Sequence, residues 1–194
     1  MSKTIQKNLN YKKYQVDSKL QYFKPNSTVL EKSFADEISF SLNQHSKFIS
    51  PKFFYDKKGS DLFEKICELP EYYPTRTEIS ILKKLKGELP LYLDGSFRLV
   101  ELGSGSSVKT RLILDILNQV QDKIEYFPID ISEILTESSA LLQRDYNDLH
   151  ITGIIDTYEG GLEFLKNYDG KKNLIIFLGS SFGNFTSDEG KEFL

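Results

Sequence analysis

The sequence predicts an α/β fold in which a helical region precedes a parallel sheet. After residue 95, short apolar runs alternate with amphipathic segments, which is typical of strands that alternate with helices. Before that residue, apolar side chains recur at three- and four-residue steps, which indicates amphipathic helices. We therefore expect a helical region over residues 1–95 and a βα region over residues 96–194.

The helical region carries recognisable starts and stops. Residues 1–25 are polar and weakly patterned, so we expect an extended or frayed lead-in. A helical spacing covers residues 27–42, and a second helix is expected to begin with Ser60 as its cap. Pro74 stiffens the next loop, because its ring fixes its own φ and favours an extended residue before it. A third helix is expected from Thr77.

The βα region contains four apolar segments of strand length. Helical spacings separate them, so each strand leads into a helix, as a parallel sheet with covered faces requires. The predicted strands cover residues 97–102, 126–131, 151–155 and 174–178. The predicted helices include residues 112–117, 134–142 and 162–165.

The composition argues against several classes of protein. A net charge of −3 and a pI near 5.5 disfavour a nucleic-acid partner, which would need a basic face. Cys67 is the single cysteine, so no disulfide forms within the chain, which fits a reducing cytosol. With two histidines beside it, a dedicated zinc site is not expected. No apolar run approaches the ~20 residues of a membrane helix. We expect a cytoplasmic protein without metal, membrane or nucleic-acid partner.

A glycine-containing turn, ELGSGSS at residues 101–107, follows the first predicted strand of the βα region. Glycine lets the backbone turn tightly and approach a ligand closely. Val108 stands where a dinucleotide fingerprint has its third glycine, and the Gly-Lys-Ser/Thr of a P-loop is absent. The turn therefore suits a cofactor without a pyrophosphate, such as S-adenosylmethionine (SAM). The alternative is an ordinary strand-to-helix turn.

Asp130 lies near the end of the second predicted strand of this region. An acidic residue at that position can accept hydrogen bonds from ribose hydroxyls. The alternative is a helix cap supplied by Asp130 or Ser132. Because the glycine turn and Asp130 occur in the order that nucleotide-type sites require, together they favour cofactor binding.

Five sequence segments form a more specific pattern: FYD at 54–56, GSDLF at 59–63, LPEYYPTRTE at 69–78, ELGSG at 101–105 and LGSSFGNF at 178–185. Together they resemble the histidine-specific methyltransferases of ergothioneine biosynthesis. The YYPTR block is specific to that family rather than general among methyltransferases. The resemblance covers about residue 50 to residue 194. It implies a Rossmann-like SAM-binding sheet, with the helical N-terminal region contributing to the acceptor site.

The resemblance implies cofactor roles by position. Gly103 and Lys109 would contact SAM, and Asp130 would bind its ribose. The adenine side would fall on Asp156, Thr157 and Tyr158. Here the sequence departs from the pattern, because many members have Gly-Asp-aromatic at these three positions. We align Tyr158 with the aromatic residue, which leaves the register of Asp156 and Thr157 open.

The resemblance also implies an acceptor site. Tyr55 would stand near the methyl-transfer centre as the catalytic residue, and Tyr72 and Asn184 would bind the carboxylate and amino group of an amino acid. Structural alternatives exist for each residue. Each tyrosine could instead have its ring in the core and its hydroxyl in contact with water. Asn184 could be a turn residue, and Lys109 could be a solvated helix residue.

The implied activity is SAM-dependent methylation of the α-amino group of an amino acid. L-Histidine, converted to trimethylhistidine in ergothioneine biosynthesis, is the expected acceptor. A tryptophan-derived amino acid is an alternative, because fungal enzymes for such acceptors share the family. A non-catalytic SAM-binding or partner module is another. A Rossmann oxidoreductase is disfavoured by Val108 and the YYPTR block.

The resemblance finally implies that the sheet is incomplete at residue 194, since the family's sheet needs further strands. The contacts to the acceptor's side chain would lie beyond that residue. We therefore expect a C-terminally truncated fragment, and a monomer when the protein is full length.

Overall fold

A computed structural model describes residues 10–26, 34–54, 56–93, 96–105, 107–132 and 134–194. The strands are β1 (Tyr11–Gln15), β2 (Leu20–Pro25), β3 (Arg98–Leu102), β4 (Ile124–Ile129), β5 (Leu149–Ile154) and β6 (Asn173–Ile176). The helices are α1 (Phe34–Leu42), α2 (Lys57–Glu68), α3 (Tyr73–Glu88), α4 (Val108–Leu117), α5 (Ile134–Asp145), α6 (Tyr158–Lys166) and α7 (Ser187–Phe193). None of the helices in the described ranges combines the length and the apolar character needed to cross a membrane.

The six strands form one sheet in the order β1-β2-β5-β4-β3-β6. Strands β1 and β2 are antiparallel, and every other neighbouring pair is parallel. From β3 the chain proceeds to β4 and β5 on one side, and then crosses to β6 on the other side. The strand order therefore reverses between β3 and β6. In open α/β sheets, ligands bind outside the carboxyl ends of the strands at such a switch point.

Side chains alternate between the two faces of the sheet, and helices cover both faces. On one face, Leu99, Tyr126 and Ile151 are almost completely buried and belong to a cluster that includes residues of α3, α4 and α5. On the other face, Val100 and Phe127 pack with residues of α6. Burial on both faces explains why the strands of the βα region read as continuous apolar runs. The α/β fold predicted from these runs is confirmed, with strand ends shifted by one or two residues.

The N-terminal hairpin corrects one expectation. Residues predicted as a frayed lead-in form β1 and β2, and β2 extends the sheet by pairing in parallel with β5. Leu20 is 2% exposed, so the hairpin contributes to the core. Asp17 stabilises the turn, because its carboxylate accepts hydrogen bonds from the backbone N–H of Lys19 (2.7 Å) and Leu20 (2.9 Å). The first 95 residues are therefore not purely helical, and the domain division at residue 95 stays a prediction.

Two helix starts also differ from the sequence expectations. Helix α2 is capped by Asp56, whose carboxylate accepts a hydrogen bond from the N–H of Gly59 at 2.6 Å, and not by Ser60. Helix α3 begins at Tyr73 rather than at Thr77, with Pro74 in its first turn. Proline suits that turn, because the first N–H groups of a helix have no intrahelical partner and its φ is already helical.

Candidate active site

Two glycines flank the switch point between β3 and β6. Gly103 follows β3 and Gly179 lies three residues after β6, and both have left-handed backbones, with φ of +75° and +81°. Residues other than glycine rarely adopt this backbone conformation. The chain therefore turns sharply at the carboxyl ends of the two strands between which ligands are expected.

The glycine turn after β3 packs closely against Tyr158. A Cβ atom on Gly103 would lie 2.8 Å from the Tyr158 hydroxyl oxygen, which is closer than real side chains approach. Gly105 (φ +47°) and Ser107 (φ +61°) continue the left-handed geometry. Only glycine satisfies both the backbone conformation and the available space at position 103.

The turn contains two buried hydroxyl groups that a ligand can use. Ser104 and Ser107 are 6% and 4% exposed, and among the described residues neither Oγ has a hydrogen-bond partner. A buried polar group without a partner costs free energy, and such groups are uncommon in folded proteins. Both lie in the turn where the sequence predicts a cofactor, so they are available to a polar ligand.

Asp130 faces this turn from the end of β4. Its carboxylate accepts a hydrogen bond from the N–H of Ser132 at 2.9 Å, and the backbone N–H groups of Ser104 and Gly105 also donate to it. Burial raises the pKa of Asp130 above its ordinary value, and these three N–H groups oppose that shift. The carboxyl group is therefore fixed next to the glycine turn.

Glu101, just before the turn, is a buried acid for which the sequence analysis predicts no role of its own. It accepts hydrogen bonds from the hydroxyls of Thr110 (2.8 Å) and Tyr126. Burial raises the pKa of its carboxyl to about 7, although both hydrogen bonds act in the opposite direction. The carboxyl group of Glu101 therefore changes charge near neutral pH, at the position where β3 leads into the glycine turn.

The three residues predicted for the adenine side have different surroundings. Tyr158 lies beside Gly103 and packs edge-on against Phe177, with ring centroids 5.0 Å apart. Thr157 caps α6, because its hydroxyl accepts a hydrogen bond from the N–H of Gly160 at 3.1 Å. The hydroxyl of Tyr11, on β1, donates to the carboxylate of Asp156. Among the three side chains, Tyr158 is the one beside the glycine turn.

Lys109, predicted to contact the cofactor, is held by Glu78 of α3. The lysine Nζ lies 2.8 Å from Glu78 Oε2, and both side chains are 24% exposed. The other carboxylate oxygen of Glu78 accepts a hydrogen bond from the backbone N–H of Gly179 at 2.8 Å. Glu78 therefore joins α4 to the turn that follows β6.

Tyr72, predicted to bind the acceptor, directly precedes α3. It is partly buried, and its ring packs edge-on against Phe63 with centroids 6.0 Å apart. Arg76 shapes this loop, because its guanidinium donates to the carbonyls of Leu69 (2.8 Å) and Tyr72 (3.3 Å) and also to that of Pro70. The Arg of the YYPTR block is thus bound to the backbone of its own loop.

Asn184 is exposed and ends a short 3-10 turn, Ser181–Asn184, which follows Gly179 and Ser180. Ser180 has a left-handed backbone with φ of +60°. Tyr55, the predicted catalytic residue, lies outside the described residues.

The sequence of this site has known relatives. Residues 34–194 match the model of a family described as "Histidine-specific methyltransferase, SAM-dependent". The chain belongs to this family. Membership confirms the predicted resemblance and the choice of SAM as the family's cofactor.

Individual relatives agree with the family match. Histidine N-alpha-methyltransferase of Mycolicibacterium smegmatis is 37% identical over 159 residues, which cover 81% of this chain and 49% of the relative. Ergothioneine biosynthesis protein 1 of Neurospora crassa is 34% identical over 142 residues, which cover 72% of this chain and 16% of the relative. A 4-dimethylallyltryptophan N-methyltransferase of Claviceps purpurea is 26% identical over 173 residues, which cover 87% of this chain and 50% of the relative. The chain spans about half the length of the histidine N-alpha-methyltransferases it matches.

Sequence patterns alone did not identify several residues of this candidate site. Glu78 lies in one of the five segments that resemble the family, and Glu101 is the acidic residue of the glycine motif. Both segments are identified from the sequence, but no role is predicted for either glutamate. Tyr11 gave no signal, because it contacts Asp156 across 145 residues of chain. The roles of the nine predicted site residues stay predictions.

Proposed function

We propose that this chain forms the SAM-binding part of an N-methyltransferase that acts on the α-amino group of an amino acid, with L-histidine as acceptor and trimethylhistidine as product. The observation that carries the proposal is the glycine turn at the switch point, beside Tyr158 and Asp130, in a member of this family. The names of two relatives, both histidine N-alpha-methyltransferases, support histidine as the acceptor.

The residues at the switch point fit SAM. Glycine at position 103 lets Tyr158 lie directly against the turn, and the hydroxyls of Ser104 and Ser107, which have no partner among the described residues, are available to the polar atoms of SAM. Asp130 would accept hydrogen bonds from the ribose, and Lys109 would face the carboxylate. Tyr158 would line the adenine side, and Asp156 and Thr157 directly precede it at the start of α6. SAM would supply an electrophilic methyl group.

Tyr72 and Asn184 are proposed to bind the acceptor. Tyr72 precedes α3, and Glu78 lies five residues after the first residue of that helix, about 7.5 Å along its axis. Asn184 lies five residues after Gly179, whose N–H donates to Glu78. One hydrogen bond therefore connects the two chain segments that carry the proposed acceptor residues. This connection supports a shared site.

Methyl transfer to an amine depends more on positioning the amine and the methyl group than on proton transfer by the protein. A free α-amino group has a pKa of roughly 8 or above, so some neutral amine exists at physiological pH and a strong general base is not obligatory. The Asn184 amide offers both a donor and an acceptor, and Tyr72 offers a hydroxyl, so the two can hold the amine without a fixed charge. Neutral partners also tolerate the added methyl groups of a repeated transfer. Catalysis would then come from alignment.

The test is turnover by the full-length protein. Incubation with SAM and L-histidine should release S-adenosylhomocysteine (SAH) and yield trimethylhistidine, measured by mass spectrometry. 4-Dimethylallyltryptophan is the comparison acceptor, since a relative is named for it. Binding of SAH without turnover of either acceptor would favour a non-catalytic SAM-binding or partner module. We also propose that the enzyme works as a cytoplasmic monomer without a nucleic-acid partner. The acidic pI supports the absence of a nucleic-acid partner, and the single cysteine supports a reducing compartment.

A further inference from the structure

The carboxylate of Glu78 contacts two separate parts of the proposed site at once. Oε2 lies 2.8 Å from the ammonium of Lys109, on the helix that follows the glycine turn. Oε1 accepts a hydrogen bond from the N–H of Gly179 at 2.8 Å, at the start of the turn that leads to Asn184. Each oxygen therefore serves one side of the site, the cofactor side or the acceptor side.

The turn after β6 needs outside support. Gly179 and Ser180 both have left-handed backbones, with φ of +81° and +60°, and for serine this conformation is unfavourable. A Cβ on Gly179 would lie 3.0 Å from the Nζ of Lys109, so the ammonium packs directly against the turn. The turn thus keeps its shape against a surface built by Lys109 and Glu78.

This ion pair differs from the surface pairs of the molecule. Lys109 and Glu78 are each 24% exposed, whereas Lys166 and Glu163 are 74% and 63% exposed. Exposed pairs contribute little to structure, because water screens them, while a mostly buried charge needs its partner. An ammonium has three donors, so Lys109 can keep Glu78 and still bind a carboxylate.

We propose that Glu78 is a positioning residue that couples the two halves of the site. It holds Lys109 for the cofactor's carboxylate and holds the Gly179 turn so that Asn184 meets the acceptor. The proposal rests on the function proposed above. Its consequence is that bound SAH strengthens histidine binding in the wild type, and that this coupling depends on Glu78.

The informative variant is Glu78→Gln. Glutamine places an acceptor oxygen at only one of the two positions that Oε1 and Oε2 occupy, and its NH2 group at the other faces a second donor, either Lys109 or the N–H of Gly179. One of the two contacts is therefore lost. Glu78→Asp keeps two oxygens on a shorter side chain and should recover part of the coupling. The control is Glu125→Gln. Glu125 is also 24% exposed and pairs with Lys171 at 2.7 Å, but it lies near the amino end of β4, about 16 Å of strand away from Asp130.

Four measurements on the full-length protein test the proposal: the Kd of SAH by calorimetry, the Kd of histidine with and without SAH, the KM for histidine, and hydrogen exchange of residues 179–184. In Glu78→Gln we expect SAH affinity to change less than about 3-fold, because the ammonium of Lys109 can still bind the cofactor's carboxylate when Glu78 no longer holds it. The strengthening of histidine binding by SAH should disappear, and the KM for histidine should rise about 10-fold. Exchange at residues 179–184 should no longer slow on SAH binding. Glu125→Gln should match the wild type.

The failures are distinguishable. If the wild type binds SAH but neither binds nor methylates histidine, the proposed acceptor is wrong, and hydrogen exchange at residues 179–184 still decides the role of Glu78. If Glu78→Gln keeps the wild-type coupling and the wild-type exchange pattern, the positioning role is wrong. The role is equally wrong if SAH affinity falls as much as histidine affinity, since Glu78 would then be an ordinary part of the cofactor site.

Discussion

Replacing Gly103 by alanine tests the glycine turn at the position with the least space. The backbone at Gly103 has φ of +75°, and a left-handed conformation costs an alanine roughly 1–2 kcal/mol. The new Cβ would also lie 2.8 Å from the hydroxyl oxygen of Tyr158, so the ring or the turn must move. Both effects act where we expect the cofactor. We therefore expect Gly103→Ala to weaken SAH binding about 10-fold or more, equal to about 1.4 kcal/mol.

Gly170→Ala is the matched control. Gly170 has nearly the same backbone, with φ of +71°, but apart from its chain neighbours no atom of the described residues lies within 4 Å of its added Cβ. It lies between α6 and β6. Both variants should therefore lose roughly 1–2 kcal/mol of unfolding free energy through backbone strain, measured by denaturant titration, and Gly103→Ala should lose more because its Cβ also meets Tyr158. Only Gly103→Ala should lose SAH affinity by calorimetry. Wild-type affinity in Gly103→Ala, or an equal loss in Gly170→Ala, would refute the cofactor role of the turn.

Three further variants follow from the same site. Asp130→Ala should weaken SAH binding by about 1–3 kcal/mol through loss of charge-assisted hydrogen bonds, and an unchanged Kd would remove Asp130 from the site. Asn184→Ala should lose methylation of histidine while keeping SAH affinity. Tyr72→Phe should raise the KM for histidine by about 2- to 10-fold, because it removes one hydrogen bond. Wild-type kinetics in both variants would exclude the two residues from the acceptor site. The pKa of Glu101 rises from 4.5 to about 7 on folding, so its stabilising contribution is complete below pH 4.5 and is lost as the pH rises through 7. The Tm of the wild type should fall over this window, and Glu101→Gln should flatten that fall, whereas identical pH profiles would contradict the assignment.

The strands of the βα region were predictable because burial on both faces leaves a signal in the sequence itself. Leu99 and Val100 point to opposite faces of β3 and are both fully buried, so the segment is apolar without interruption. The hairpin gives a weaker signal. Four of the five residues of β1 are exposed, and β2 becomes buried only by pairing with β5, about 130 residues later in the chain. Tertiary pairing, which no local pattern contains, makes this segment a strand.

The residues of the candidate site also differ in how far local sequence could predict them. Gly103 and Asp130 follow strands in the order that a nucleotide-type site requires, so local sequence was enough to select them. Glu78 could not be assigned from sequence, because its bond to Gly179 spans 101 residues and depends on how α3 packs beside α4. A glutamate on a helix is ordinarily a solvated side chain. Its place between α4 and the turn after β6 is visible only in the folded molecule.

The departure from the family pattern at Asp156 has a structural explanation in the hairpin. Where many members have glycine, this chain has an aspartate whose carboxylate accepts a hydrogen bond from Tyr11 of β1 and one from the N–H of Thr157 at 2.7 Å. Burial and this aspartate together raise the pKa of Tyr11, so its hydroxyl stays a neutral donor. Asp156 therefore fastens the hairpin to the start of α6. The ring of Tyr158 lies beside Gly103, and its alignment with the family's aromatic residue stays a prediction.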